Sequence, residues 1–134
     1  GLNGIDYHPD GYLLAAVGAS GAIYKVPLDD PSDITQVTLP YPIRIDGMAL
    51  DADNNLVAVG RPQDGEGNRQ VIAVISSADE WESAEIALAA ETTGAATTLA
   101  LADGAAYYIN AYLSNPAQTE YQIVRVDYAD TMME

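Results

Sequence analysis

The sequence contains no cysteine, so disulfide bridges and thiolate metal sites are excluded. It has no run of about 18 apolar residues, the length that a membrane-spanning helix requires. Residues 1–5 lack the basic start and apolar centre of a signal peptide, and the first of them is not methionine. We therefore expect a trimmed chain or a fragment, and the sequence does not indicate its compartment.

Positive charge is also scarce, because 5 Lys and Arg residues stand against 20 Asp and Glu, for a net charge of −15. Nucleic acids require a basic footprint on a protein, so they are excluded as partners. Anionic membrane surfaces are disfavoured for the same reason. Such an excess of carboxylates is typical of an ordinary acidic protein, of adaptation to high salt or of affinity for a cation, and the composition leaves all three open.

The chain has the length and apolar content of one folded domain. It has 134 residues, and a hydrophobic content of 49% is too high for a disordered acidic chain. Short apolar or alternating runs follow turn signals such as Asp10-Gly11 and Asp103-Gly104, and β-branched and aromatic residues in these runs favour strands. The runs are 12–17, 22–28, 56–59, 71–75, 105–109 and 121–126. We therefore predict an all-β domain.

Residues 78–90 form the one segment with a competing helical pattern. Alanine and glutamate around Trp81 favour a helix, whereas the alternation in Glu85-Ile86-Ala87-Leu88 favours a strand. We predict a turn followed by an outer strand, with Trp81 packed on that strand.

An internal repeat organises the chain. Residues 4–14 are similar to residues 47–57 at an offset of 43, and residues 97–107 form a weaker third copy, with Asp103 matching Asp53. A period of about 40–50 residues with four strands in each copy is the signature of β-propeller blades. We predict a single partial β-propeller, with blades of four antiparallel strands at about 2–43, 44–95 and 96–128 and a tail at 129–134.

Three blades cannot close a propeller, because propellers normally have about four to eight blades. A blade with two apolar faces must also stack on neighbouring blades. We therefore expect half of a six-bladed propeller, which another chain segment or a second copy of this chain completes.

Two polar residues occupy equivalent places at the start of the repeat. Asn3 precedes Gly4 in the first copy, and Asp46 precedes Gly47 in the second. The innermost strand of each blade begins near the central channel, so these side chains should converge on the axis. Their neutral and charged oxygens suit Ca²⁺, Mg²⁺ or a similar cation. The third copy places Ala96 there, which offers no ligand, and a plain turn at each residue is the alternative.

The openings of the first two copies resemble those of a known family. They are Asn3-Gly4-Ile5 followed by Tyr7-His8-Pro9-Asp10-Gly11, and Ile45-Asp46-Gly47-Met48-Ala49-Leu50-Asp51-Ala52-Asp53-Asn54-Asn55-Leu56. Both are similar to blade openings in the six-bladed β-propellers of senescence marker protein, gluconolactonase and luciferin-regenerating enzyme. The resemblance covers residues 2–60 well and 96–127 loosely, and it matches this chain to the C-terminal half of the family.

The resemblance implies a divalent metal ion, Ca²⁺, Zn²⁺ or Mg²⁺, on the propeller axis and hydrolysis of a small-molecule lactone. Asn3 matches a metal-ligand asparagine, and Asp46 matches the aspartate that binds the metal and serves as the catalytic base. The family's early glutamate and a further asparagine from an earlier blade have no counterpart here. The resemblance thus implies a gluconolactonase-type hydrolase or its C-terminal half; a non-catalytic propeller module that binds a ligand or a protein is the alternative.

The remaining candidates are expected to have structural roles. His8, the single histidine, precedes the turn formed by Pro9-Asp10-Gly11 and should lie away from the axis. Asp10, Asp53 and Asp103 recur in the same turn and should form it. Residues 64–68 resemble a cation-binding loop but lack the spacing of an EF-hand, so we predict a flexible loop there.

Overall fold

A computed structural model describes residues 1–112, 117 and 120–129, and eleven strands form three antiparallel sheets in that part of the chain. The first sheet consists of β1 (Leu2–His8), β2 (Tyr12–Val17), β3 (Ala22–Pro27) and β4 (Thr35–Gln36), in that order. The second consists of β5 (Ile43–Leu50), β6 (Leu56–Pro62), β7 (Val71–Ser76) and β8 (Glu85–Glu91). The third consists of β9 (Ala96–Ala102), β10 (Ala105–Asn110) and β11 (Gln122–Val126).

The all-β prediction is confirmed. The six runs predicted as strands overlap β2, β3, β6, β7, β10 and β11, and the predicted runs 22–28 and 121–126 are each one residue longer than the strand. The third sheet has three strands in the described part of the chain, where the repeat predicted four. No helix among the described residues is long and apolar enough to cross a membrane.

Short turns connect the first strand of each sheet to the second. Asp103-Gly104, between β9 and β10, has φ angles of 52° and 78°, as a two-residue type I′ hairpin requires. Between β5 and β6 the turn is longer, and the Asp51 carboxylate accepts hydrogen bonds from the main-chain amides of Asp53 and Asn55, at 2.9 and 3.0 Å. The three aspartates that the sequence assigned to turns do lie in turns.

The three sheets meet along their first strands. β1 lies beside β5, and β5 lies beside β9. A Cβ atom on Gly47 would lie 2.8 Å from Thr98 Oγ1 and 2.9 Å from Thr98 Cα, so glycine permits the close approach of β5 and β9. A Cβ atom on Gly4 would lie 3.2 Å from the Met48 side chain, between β1 and β5. The three first strands are therefore packed closely side by side at these residues.

Two apolar cores lie on opposite faces of the second sheet in the described part of the chain. The first core separates the first and second sheets, and its fully buried members include Leu14, Ile23, Ile45 and Ile75. The second core separates the second and third sheets and is built on Val57, Val59, Ile72, Val74 and Tyr108. The second sheet is therefore covered on both faces, which explains why its central strands are continuous apolar runs rather than alternating ones.

The segment before β8 is a turn followed by an outer strand, as predicted, but Trp81 is not on the strand. Trp81 is buried in the first core from the turn itself, with a φ of 65°. The Ser77 hydroxyl accepts a hydrogen bond from the Trp81 amide at 2.8 Å, and the Asp79 carboxylate accepts one from the Ser83 amide at 2.9 Å. These side-chain bonds to the main chain stabilise a turn in place of a helix, and so correct the predicted position of Trp81.

Candidate functional site

Each of the three first strands carries a β-bulge in its first half. The register shifts between Leu2 and Gly4 in β1, between Ile45 and Gly47 in β5, and between Ala96 and Thr98 in β9. A bulge leaves one residue without a cross-strand partner and redirects its side chain. The unpaired residues are Asn3, Asp46 and Thr97.

The structure corrects which residue of the third repeat copy is equivalent to Asn3 and Asp46. The sequence alignment placed Ala96 opposite Asn3 and Asp46, whereas the bulge places Thr97 there. The alignment matched the turn residues Asp53 and Asp103, and the β5–β6 turn is longer than the β9–β10 turn. The third sheet therefore contributes a hydroxyl-bearing residue at the equivalent bulge.

Asn3 and Asp46 come together as predicted. The Asn3 amide nitrogen Nδ2 donates a hydrogen bond to Asp46 Oδ1 at 3.4 Å, across the boundary between the first and second sheets. Asn3 is exposed and Asp46 is half-buried. Gly18, just beyond β2, lies next to Asn3, because a Cβ atom there would be in van der Waals contact with the Asn3 Cβ and Nδ2 atoms, at 3.4 Å.

The Gln70 side chain contacts the Asp46 carboxylate, and the sequence analysis did not identify this residue. Gln70 is buried just before β7, and its Nε2 atom lies 3.5 Å from Asp46 Oδ2 and 2.8 Å from the Ala96 carbonyl oxygen. Its Oε1 atom accepts hydrogen bonds from the Thr92 hydroxyl at 2.6 Å and the Ala96 amide at 3.0 Å. A polar residue before an apolar strand run was the only local signal, and its partners are distant in sequence.

Two arginines lie beside this pair, and they too were missed. Arg44 of β5 and Arg61 of β6 are direct cross-strand partners. Both line a depression of about 370 Å³ together with Asn3 and Asp46. The other residues around it are Gly1, Leu2, Gly18, Ala19 and Ile45. A larger depression, of about 640 Å³, lies between residues 20–24 and 36–42 and has no charged residue in its lining.

Asn3 and Asp46 suit a divalent cation only as part of a larger set of ligands. Ca²⁺ takes about 6–8 oxygen ligands, and Mg²⁺ requires octahedral coordination. Among the described residues, no group of three or more His, Cys, Asp or Glu side chains could hold a metal ion. The Asn3 and Asp46 oxygens can therefore supply two ligands, and water, substrate or another part of the assembly would have to supply the rest.

His8 has the structural role that the sequence predicted. It is buried at the end of β1, its ring stacks on Tyr12 with the centroids 4.4 Å apart, and its Nδ1 atom accepts a hydrogen bond from the Asp10 amide at 3.1 Å.

The loop at residues 64–68 does not present a free carboxylate at Asp64. The Asp64 side chain accepts a hydrogen bond from the Arg69 guanidinium, and this bond holds the pKa of Asp64 below its usual range. Asp64 is therefore committed to an ion pair.

Comparison with known proteins does not identify the chain. No protein-family model matches it, and no curated protein matches its sequence significantly. The resemblance to the gluconolactonase family therefore rests on residues 3–11 and 45–56, and the site has to be judged by its own geometry.

Proposed function

We propose that the three sheets are blades of a six-bladed β-propeller, of which this chain forms half, and that the protein is a metal-dependent lactonase of the gluconolactonase type. The observation that carries the proposal is the meeting of Asn3 and Asp46. They occupy equivalent bulges in neighbouring sheets, and their side-chain atoms lie 3.4 Å apart. Their contact brings an amide group and a carboxylate to one place, where both could be ligands of a cation.

The arrangement of the sheets supports the propeller. The first strands of the sheets are neighbours, while each sheet extends from its first strand outward in chain order. In a propeller, the innermost strands surround the axis in this way, and the sheets are its radial blades. The bulged ends of β1, β5 and β9 would then surround one mouth of the central channel.

The chain's own residues can supply the proton transfer of lactone hydrolysis. The oxygen of a water molecule bonds to the lactone carbonyl carbon, and the Asp46 carboxylate accepts the water proton. The ring C–O bond then breaks, and the same proton passes to the ring oxygen, which gives a hydroxy acid. Gln70 and Asn3, on the two Asp46 oxygens, orient the carboxylate for this transfer. A bound divalent ion would supply polarisation of the lactone carbonyl.

An uncovered apolar face supports the need for further blades. The face of the first sheet that points away from the second sheet has only apolar residues in the cross-strand rows of β1, β2 and β3. They are Leu2, Ile5, Tyr7, Leu13, Ala15, Val17, Ala22, Tyr24 and Val26. No sheet of the described chain covers this face, and Ile5 is 62% exposed. We propose that another chain segment or a second copy of this chain packs on it.

The same face favours a second candidate function. A propeller module that binds a ligand or a protein without catalysis would need a docking surface. The uncovered face of the first sheet is such a surface, because it is apolar and exposed at Ile5 and Tyr7.

The variant Asp46→Asn tests the lactonase, because it removes one negative charge with little change of shape. The matched control is Asp53→Asn, in the turn at the opposite end of β5. We expect Asp46→Asn to abolish δ-gluconolactone turnover and Ca²⁺ binding measured by calorimetry, while its far-ultraviolet circular dichroism is unchanged. Asp53→Asn should keep both activities.

The outcomes separate the two candidate functions. If Asp46→Asn retains metal binding and turnover, Asp46 has neither proposed role. If the unaltered chain binds no divalent ion and hydrolyses no lactone, even when supplied with any partner that completes the ring, the non-catalytic module is the better description.

A further inference from the structure

Arg44 and Arg61 form an unusual pair. They are direct partners across β5 and β6, so their side chains leave the same face of the second sheet at adjacent positions. Like charges in directly opposed positions of an antiparallel pair destabilise the sheet. Two of the five cationic residues of a chain with 20 carboxylates are therefore placed against each other.

The other three cations are used within the described chain. Arg69 pairs with Asp64, and Arg125 pairs with Asp127. Lys25 donates to the Glu80 carbonyl oxygen at 2.7 Å and lies over the Tyr12 ring.

The arginine pair, by contrast, is not neutralised. Arg61 donates one hydrogen bond, to the Gly94 carbonyl oxygen at 3.1 Å, and neither Arg44 nor Arg61 forms an ion pair with a described residue. Most of the donors in two guanidinium forks are therefore free to bind something else.

The depression of about 370 Å³ that Arg44 and Arg61 line is also lined by polar groups of a second chemical type. Its lining includes Arg44 and Arg61 together with Asn3 and Asp46. Guanidinium groups bind a carboxylate through two parallel hydrogen bonds, whereas an amide and a carboxylate bind hydroxyl groups. The geometry points to a small acid that carries both a carboxylate and hydroxyl groups.

We propose that Arg44 and Arg61 bind the carboxylate of a polyhydroxylated organic acid, with its hydroxyl groups directed towards Asn3 and Asp46. The choice of a hydroxy acid rests on the proposed function, because hydrolysis of a sugar lactone yields such an acid. The anion site itself does not depend on the lactonase. The arginine pair would then be a recognition site for the acid. The bound carboxylate would also offset the repulsion between the two positive charges in the sheet.

Titration of the full chain tests the site. Sodium gluconate, glucose and sodium phosphate are titrated separately at low ionic strength into protein freed of divalent ions on a chelating resin, with amide chemical shifts as the readout. We expect gluconate to bind with 1:1 stoichiometry, glucose to bind far more weakly, and gluconate affinity to fall as sodium chloride is added. Because the divalent ions have been removed beforehand, failure of the metal-dependent proposal does not affect this result.

Two matched variants decide which residues are responsible. Arg44→Gln should weaken gluconate binding about tenfold or more, since it removes charge-assisted hydrogen bonds. Arg125→Gln removes the same charge at a guanidinium already paired with Asp127 and should leave binding unchanged. Arg44→Gln should also be at least as resistant to urea as the unaltered protein, because the like-charge repulsion is gone.

Three results would overturn the inference. Equal binding of glucose and gluconate would show that the carboxylate is not recognised. Unchanged gluconate affinity in Arg44→Gln would show that the pair is not the site. Phosphate bound more tightly than gluconate, and lost in Arg44→Gln, would replace the hydroxy acid by a phosphate ligand.

Discussion

The first and second sheets are built from equivalent strands, yet their outer surroundings differ. Both faces of the second sheet are covered, and residues 56–59 of β6 have no measurable exposure. The first sheet is covered on one face alone within the described chain, and its other face is apolar but exposed at Ile5 and Tyr7. Similar strand sequences thus occur in a sheet that is covered on both faces and in a sheet that is covered on one face within the described chain.

This difference shows that the pattern of apolar residues determines which faces of a sheet are apolar. Whether such a face is buried depends on a neighbouring sheet. In the second sheet the neighbouring sheets supply it from both sides. The first sheet has the composition of a sheet with two neighbours but only one in the described chain. Association with a further sheet would convert its exposed face into a core of the kind that already surrounds the second sheet.

The largest expected effect on stability comes from the same substitution, isoleucine to alanine, made once on a covered sheet face and once on the uncovered face of the first sheet. Ile75→Ala, at a residue with 0% exposure, should lower the free energy of unfolding by about 2–5 kcal/mol because it leaves a cavity in the first core. Ile5→Ala, on the exposed face, should lower it by less than about 1 kcal/mol. Urea denaturation at several protein concentrations measures both, and an equal loss for Ile5→Ala would show that its face is buried in solution.

The next largest effect concerns the hydrogen bonds of the Gln70 side chain at the boundary of the second and third sheets. Gln70→Leu keeps a similar volume but leaves the Ala96 amide and carbonyl without their partner, which should cost about 2–3 kcal/mol. Gln63→Leu is the control, since the Gln63 side chain makes one hydrogen bond at an exposed site. Equal unfolding midpoints in urea for the two variants would contradict the role assigned to Gln70.

Glycine substitutions compare the two sheet boundaries directly. Gly47→Ala places a methyl group against the Thr98 main chain and should cost about 1–3 kcal/mol, because β5 and β9 must separate. Gly4→Ala meets the Met48 side chain, which can move, so its cost should be smaller. Thermal unfolding of both variants tests the order, and the reverse order would place the tighter contact between β1 and β5.

The smallest effect appears only at alkaline pH. Burial, followed by the charge of Asp51 and a 3.1 Å hydrogen bond to it, raises the pKa of Tyr128 from 10.0 to about 12. The unfolded chain releases this proton at lower pH than the folded chain, so the stabilisation is present below pH 10 and declines as pH rises towards 12.

Burial and the charges of Asp10 and Glu80 raise the pKa of Tyr12 to about 12 as well, so both cores contribute to this decline. Tyr128→Phe should reduce the decline in unfolding free energy without abolishing it. Urea titrations at pH 9 and pH 11 measure the difference. An unchanged decline in this variant would show that Tyr128 is not the titrating group.

Much of the fold was accessible from local patterns. Alternation and turn pairs located six strands, and the repeat placed Asn3 and Asp46 at equivalent positions that the structure brings together. The assigned metal and catalytic roles of these two residues stay predictions. Trp81 was placed on a strand because the competing Ser77 and Asp79 side-chain bonds are not visible in hydrophobic periodicity.

The rest of the site could not be found in this way. Thr97 was missed because a bulge depends on how two strands pair, and the turns that anchored the alignment differ in length. Gln70 and Ala96 are far apart in sequence, and nothing near either residue marks the other as its partner.

Local chemistry therefore specified the strands, the turns, the acidic surface and the apolar faces, because each depends on neighbouring residues and on side chains two positions apart. Tertiary packing specified which of those side chains meet. The opposition of Arg44 and Arg61 depends on the register between β5 and β6, and the contact of Asn3 with Asp46 depends on how two sheets approach. Both are relations between distant segments, and the free energy of burial that sets them is a property of the assembled sheets.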